Sequence, residues 1–282
     1  MPRLSRIVAS MILALGVCIS AAAAAMPPLR HIASALWNNP EALPALPENP
    51  SIHYEQGALE QARRVAAILP ASLARVAAEQ GRPFAHPVII GVYASPETYA
   101  AANGIGTPDV GGVTFMGRLT LSPTLFSKQS ERLPRVLTHE LSHAHLAGWM
   151  GTVATVRLPN WFKEGLAVMV SGGGGAENVS DAAARDAILH GDRIAMNDTG
   201  SPLHMTAVQF EQESGIPTDA MRIHMGYREA SMFVTFMRDT DPTAFGVMMQ
   251  QVEDDRPFKD AVQAAYGVEL RMLWSRFIAG LS

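Results

Sequence analysis

The stretch LTHELSHAHL, residues 137–146, decides how this chain is read. Within it His139, Glu140 and His143 form a His-Glu-x-x-His pattern inside an apolar segment. Residues four apart in a helix lie about one turn apart on one face. Both imidazoles can therefore point at one ion. That suits zinc, which takes neutral imidazole nitrogen at about 2.0–2.1 Å. Glu140 is one residue further, about 100° around the helix. It is poorly placed to share the ion, but it can reach a water bound there, as a general base must. Leu137, Leu141 and Ala144 give the segment an apolar side, and Pro134 and Arg135 stand near its start. His145 lies about 240° around from His139 and reads as a surface or core-edge histidine outside the ligand set. The bland alternative is a helix with two satisfied histidines.

Catalytic zinc usually keeps three protein ligands and one open position. Twenty residues separate His143 from Glu164, which lies in the run Leu158-Pro159-Asn160-Trp161-Phe162-Lys163-Glu164-Gly165-Leu166-Ala167. Pro159 and Asn160 can start a helix, and Glu164 then falls in its second turn. The spacing allows a loop and a return helix facing the first. A His-Glu-x-x-His helix followed by Trp-x-x-Glu-Gly-x-Ala resembles the gluzincin metallopeptidases. In particular it resembles the peptidase MA-like group, related to the alanyl-aminopeptidase and thermolysin branches. The resemblance implies Glu164 as third ligand beside His139 and His143, one Zn2+ per chain, and Glu140 as the catalytic base. For Glu164 the plain alternative is a solvated helix glutamate.

A metzincin pattern needs glycine at 146 and histidine at 149, where this chain has Leu146 and Trp149. The thermolysin branch often has an aspartate one turn after its glutamate ligand, and Val168 stands there instead. The group that orients the zinc histidines must then come from elsewhere. Gly226 to Val234 resembles the family's later helix, which begins with a tyrosine and packs beside the site. Tyr227 is thereby the candidate oxyanion donor, with His224 as runner-up. A core aromatic with its hydroxyl at the surface is the alternative for Tyr227. The stretch from Phe258 to Trp274 is similar to the family's C-terminal helices. The resemblance spans residues 54 to 280, and only the two zinc motifs in it are highly specific.

Composition frames this reading. The chain has 282 residues, 48% hydrophobic and 17% charged, which is ordinary for a globular protein. Net charge is −4 and no Lys/Arg stripe stands out, so nucleic acid is not an expected partner. Arg3 and Arg6, the apolar run from Ile7 to Ile19 and the small residues Ala21 to Ala25 read as a signal peptide over 1–25. An uncleaved anchor is the alternative. The single cysteine, Cys18, lies inside this leader behind Val17, where a lipoprotein signal needs a small residue. The mature chain then has no thiol nucleophile and no Cys-ligated metal. No later stretch reaches the about 20 apolar residues of a membrane helix. The expected compartment is the periplasm or the exterior, and the expected partner is a peptide or protein substrate. Oligomeric state is not legible.

Residues 26–50 hold six prolines and read as a Pro-rich linker, or a segment draped over the body. Ala58 to Gln80 has helical spacing interrupted at Pro70, which predicts two short helices or one kinked one. Pro87 to Tyr93 is the best strand, and Ser95-Pro96-Glu97 opens a short helix. Gly111 to Met116 and Arg118 to Leu121 read as a hairpin joined at Gly117. The strand from Gly112 to Phe115 can lie beside the cleft and pair with an extended peptide; an ordinary sheet edge is the alternative. From Glu131 onward the text is mostly helical, with Asp241-Pro242 starting one helix and Arg256-Pro257 and Gly267 punctuating two more. Ser171 to Gly175 reads as a flexible loop, since no Gly-Lys-Ser/Thr follows to hold a phosphate.

The expected fold is α+β and zincin-like. A small mixed α/β lobe over 51–134, with a short sheet, packs on a mainly helical lobe over 135–282, with zinc between them. The expected function is a zinc-dependent peptidase of the cell envelope in which Glu140 activates a zinc-bound water. The rival is a catalytically silent, zinc-stabilised binding or scaffold protein on the same fold. Intact Glu140 argues against the rival, because a purely structural site has no use for a base.

Overall fold

A computed structural model describes residues 27–191 and 220–282. The leader expected over 1–25, with Cys18, lies outside the described residues. The fold is mixed α+β. Its five-stranded sheet contains β1 (Ala45–Leu46), β2 (Asn49–Tyr54), β3 (Ile89–Val92), β4 (Gly112–Phe115) and β5 (Arg118–Leu121), in the order β1-β2-β3-β5-β4. β3 runs parallel to both β2 and β5, while β1 and β4 are antiparallel additions at the two edges. Central strands covered on both faces are expected to be apolar throughout, and Ile90, Val92, Leu119 and Leu121 are fully buried. β4 and β5 meet in a two-residue turn, Met116 (φ 50°) and Gly117 (φ 78°). Positive φ at both positions gives the twist that a tight hairpin needs.

Residues 26–50 correct the linker expectation. Residues 27–50 form helix α1 (Pro27–Trp37), a 3-10 turn (Pro40–Ala42), β1 and the start of β2. Pro27 and Pro28 open α1, and Pro40 opens the turn. Proline is tolerated at such positions because the N–H it lacks has no partner there. The sheet therefore begins before residue 51, with Leu46 fully buried.

Helix α2 (Leu59–Glu79) is a single helix that carries the chain from β2 to its parallel partner β3. Pro70 sits on its exposed side, where water can meet the carbonyl that the missing N–H leaves unpaired. Ala62, Val65, Leu69 and Val76 bury the opposite side. α3 (Pro96–Ala102) and α4 (Pro123–Ser127) are short and capped by Ser95 and Ser122. The remaining helices are α5 (Leu133–Arg157), α6 (Asn160–Ser171), α7 (Asp181–His190), α8 (Ala220–Thr240), α9 (Pro242–Glu253), α10 (Phe258–Tyr266) and α11 (Leu270–Leu281). α5 is broken at Gly151, whose φ of 72° is outside the helical range. Asp241 caps α9 by accepting the Ala244 N–H at 2.8 Å. Among the described residues no helix is long and apolar enough to cross a membrane.

One hydrophobic core runs from Leu46 in the sheet to Phe277 in α11. Trp161, Phe162, Phe233, Phe258, Trp274 and Phe277 pack as an aromatic cluster with ring centroids 4.8–5.8 Å apart. α6 and α8 approach closely at Gly165, where an added Cβ would lie 2.7 Å from the Ala230 carbonyl carbon and oxygen. Backbone cannot yield as a side-chain tip can. Gly165→Ala is expected to lower stability by about 1–3 kcal/mol in urea unfolding. Gly246→Ala, where an added Cβ meets nothing within 4 Å, is expected to leave it unchanged or slightly higher.

Candidate metal centre

Local structure brings the three expected ligands together. His139 and His143 project from one face of α5, and Glu164 projects from the second turn of α6. His139 Nε2 lies 3.2 Å from His143 Nε2 and 3.2 Å from a Glu164 carboxylate oxygen. The third side of the triangle, from His143 Nε2 to the same oxygen, is 3.5 Å. Tetrahedral ligands held at about 2.0–2.1 Å from zinc stand about 3.4 Å from one another. The triangle has that size, so the residues fit a tetrahedral zinc site with a fourth position left for a small ligand. They form a group that can hold a metal ion.

The tautomer of His139 is fixed from behind. Its Nδ1 lies 2.9 Å from the Gly174 carbonyl, which can only accept, so Nδ1 carries the hydrogen. In the neutral ring Nε2 is then a bare lone pair aimed at the centre of the triangle. This is the orienting partner that Val168 does not supply.

Gly174 belongs to the segment expected as a flexible loop; it is a loop, and its path is set by hydrogen bonds. Gly172 ends α6 in the left-handed conformation (φ 69°), and Gly173 N–H returns to the Val168 carbonyl at 2.9 Å. Gly174 N–H donates to Ser171 Oγ at 2.9 Å. Beyond it, Arg132 forks onto Glu177 through two 3.1 Å hydrogen bonds. Arg228 donates to the Val179 and Ala176 carbonyls at 2.9 and 3.0 Å. A glycine run that closes a helix and is clamped at both ends has little freedom left.

Charges in the triangle offset each other. Burial alone would lower the His139 imidazole, but Glu164, Glu140 and the Gly174 carbonyl prevail and hold it up to about 9. Burial alone would raise the Glu164 carboxyl, but His143 and His139 hold it well below the usual carboxylate range. In the metal-free chain a proton on His139 therefore takes the place of an ion.

Glu140 is buried on α5 but is not one of the three converging groups. Thr114 of β4 places its hydroxyl 2.8 Å from Glu140 Oε2 and 2.8 Å from the Glu140 main-chain carbonyl. β4 comes this close because Gly112 has no side chain; a Cβ there would lie 2.9 Å from Glu140 Cγ. The cleft between them, about 410 Å³, is lined by the four residues already named on α5 and α6, by the strand from Gly111 to Thr114, and by Tyr227 and His224.

Tyr227 stands in the third turn of α8, not at its start. Its ring stacks over His139 with centroids 6.4 Å apart and planes 16° from parallel. Its hydroxyl is within hydrogen-bonding reach of Glu164, and burial, with help from Glu164 and Glu140, raises the phenol well above its ordinary range. His224 also lines the cleft; burial lowers its imidazole, and Glu177 and Arg132 are the charges it senses. His145 points away, as expected, but is fully enclosed. Its Nε2 lies 3.1 Å from the Arg82 carbonyl and its ring meets Phe84 edge-on.

No protein-family model, curated protein or solved structure matches the chain.

Two outcomes follow from this geometry. A Cβ on Gly174 would lie 2.6 Å from the Arg135 carbonyl oxygen, so Gly174→Ala must displace the carbonyl that holds His139. Zinc affinity is expected to fall about 10–100-fold with all three ligands intact, read by competition with a chromophoric chelator. Zinc must also displace the proton that His139 binds with a pKa of about 9. Raising the pH from 7 towards 9 removes that competitor, so affinity should rise about tenfold per unit and level off above 9. A flat titration would show that no such proton is displaced.

Proposed function

We propose that this chain is a zinc-dependent peptidase of the cell envelope, of the gluzincin kind that its two motifs resemble. One observation carries the reading. Adjacent residues on α5 have separate duties: His139 joins the ligand triangle, while Glu140 stays out of it and is held by Thr114 at the cleft wall. A site made only to stabilise a fold has no need for an oriented carboxylate beside its open position.

Bound zinc would supply a Lewis acid for a carbonyl oxygen and bring the pKa of water near 7. Glu140 takes a proton from the attacking water on the carboxylate oxygen that Thr114 leaves free. It then passes that proton to the leaving amine nitrogen. Tyr227, kept protonated by burial and by its carboxylate neighbours, donates a hydrogen bond to the carbonyl oxygen as negative charge builds on it. His224, which also lines the cleft, is the second candidate for that task. β4 is an edge strand of the sheet, and an extended peptide can pair with such an edge. The leader-like sequence over 1–25 supports an envelope location.

Glu140→Gln tests the reading. It keeps shape and ligands, so zinc content is expected to stay at one per chain by elemental mass spectrometry. Cleavage of a peptide library is expected to fall at least about 100-fold. If turnover survives, Glu140 is not the base. If the wild type holds zinc yet cleaves nothing, and a biological phenotype survives Glu140→Gln, the scaffold reading replaces this one.

A further inference from the structure

Asn160 is the first residue of α6 and lines the metal cleft. It stands four residues before Glu164, one turn away on the same side of the helix. The residue is 9% exposed, and its Nδ2 is enclosed with no hydrogen-bond partner among the described residues. An enclosed donor left without an acceptor costs about 1–3 kcal/mol. Folding gives nothing in exchange. The cap position belongs to Pro159, so the asparagine does not cap α6. A leucine has the same branched outline and would be buried there without an unpaired polar atom.

Other polar groups of the cleft are engaged. His139 is held by the Gly174 carbonyl, Glu140 by Thr114 and Arg132 by Glu177. His224 Nδ1 is the second enclosed cleft atom without a partner among the described residues. A neutral imidazole can leave a lone pair there, whereas a carboxamide nitrogen always carries two hydrogens. We propose that Asn160 is a substrate-binding residue, whose carboxamide donates to a main-chain carbonyl oxygen of a peptide in the cleft, apart from the carbonyl under attack. The χ2 torsion of asparagine is broad and roughly two-fold, so the amide can turn Nδ2 to the cleft without breaking a bond made by that atom.

A peptide entering the cleft brings the matching need. Ile105, Val110, Val113, Val136 and Ile223 give the cleft an apolar lining, and a peptide carbonyl buried unpaired against such side chains carries a penalty of its own. The edge of β4 can meet carbonyls along one side of an extended peptide. Asn160 stands on a helix, away from that strand, and can serve a carbonyl that the strand does not. Main-chain carbonyls occur in every peptide, so the contact adds affinity without choosing a side chain. The inference rests on the reading above only in needing a peptide in the cleft, and it does not need the peptide to be cut.

The test uses two probes, N-acetyl dipeptide hydroxamates with apolar side chains and acetohydroxamic acid. Both have the same metal-binding head, and only the former carry peptide carbonyls. Binding to the chain supplied with zinc is measured by calorimetry. Asn160→Leu is expected to weaken the dipeptide hydroxamates about 2–10-fold, while acetohydroxamic acid and zinc bind as they do to the wild type. Its urea midpoint is expected to equal or exceed that of the wild type, which a structural role for Asn160 would reverse. Asn160→Ala also lacks the donor and is expected to lose affinity for the same probes. The proposal is overturned by unchanged dipeptide binding in both variants, by equal weakening of acetohydroxamic acid, or by loss of folding or of zinc in both. A wild type that prefers the dipeptide probes by no margin has no peptide seat and overturns it as well. Dipeptide binding that depends on Asn160, in a chain that cuts no peptide, upholds this inference and removes the peptidase reading. Glu140-dependent cleavage with Asn160 variants that bind like the wild type does the reverse.

Discussion

Two imidazole nitrogens and a carboxylate oxygen stand 3.2–3.5 Å apart inside a packed protein. All three present lone pairs to one point, and such groups repel unless a cation lies among them. A proton on His139 or a metal ion can serve. Burial works against the proton, yet Glu164 and Glu140 hold the imidazole up to about 9, so the surroundings favour positive charge there. The Gly174 carbonyl orients the His139 ring from outside the triangle. The arrangement is thus set by the fold before any ion arrives, and preorganisation of this kind is what makes a metal site selective for geometry.

The supports of the triangle are short-range and mostly backbone. α6 carries Glu164 on one side and Phe162, two residues earlier and about 200° around, in the aromatic cluster on the other. Gly165 then lets α8 close on α6, which brings Tyr227 over His139. The glycine of the Glu-Gly-x-Ala motif is therefore a packing residue, and the glutamate before it depends on that packing for its position. The turn after α6 is pinned by Arg132 and Arg228 from two other elements. Loss of either pin would act on the metal through the Gly174 carbonyl, with no ligand touched.

Side chains that face one another at helical or strand spacing were legible in the sequence. His139 and His143 at four residues, the hairpin around Gly117, the capped start at Asp241 and the strand near Ile89 all follow from local rules. Contacts made by backbone atoms at long range were not. No letter in Ser171 to Gly175 reveals that a carbonyl there meets an imidazole on another helix. Thr114 reads as an ordinary strand residue until the sheet edge is laid against α5. Residues 26–50 misled because prolines were taken as a sign of irregular chain, whereas here several stand where a helix or turn begins. Pro70 misled less, since its position on the solvent side decides whether a helix survives it.

If the chain is the peptidase proposed above, Glu140 and β4 also solve a problem of registration. General-base catalysis needs the base within hydrogen-bonding reach of the reacting water, and a small misplacement is costly. The carboxylate is tied to Thr114, on the same strand whose outer edge faces the cleft. Gly112, two residues earlier and on the same side of the pleat, clears the space for its Cγ. Under the proposed peptidase reading, a peptide lying along β4 would be registered against Glu140 by the pleat of one strand. The two parts of the protein share one core from Leu46 to Phe277, so that register does not wait on the closure of one part over the other. Shifting β4 by one residue would turn Thr114 away from Glu140, leaving His139, His143 and Glu164 in place and the Glu140 carboxylate without its guide.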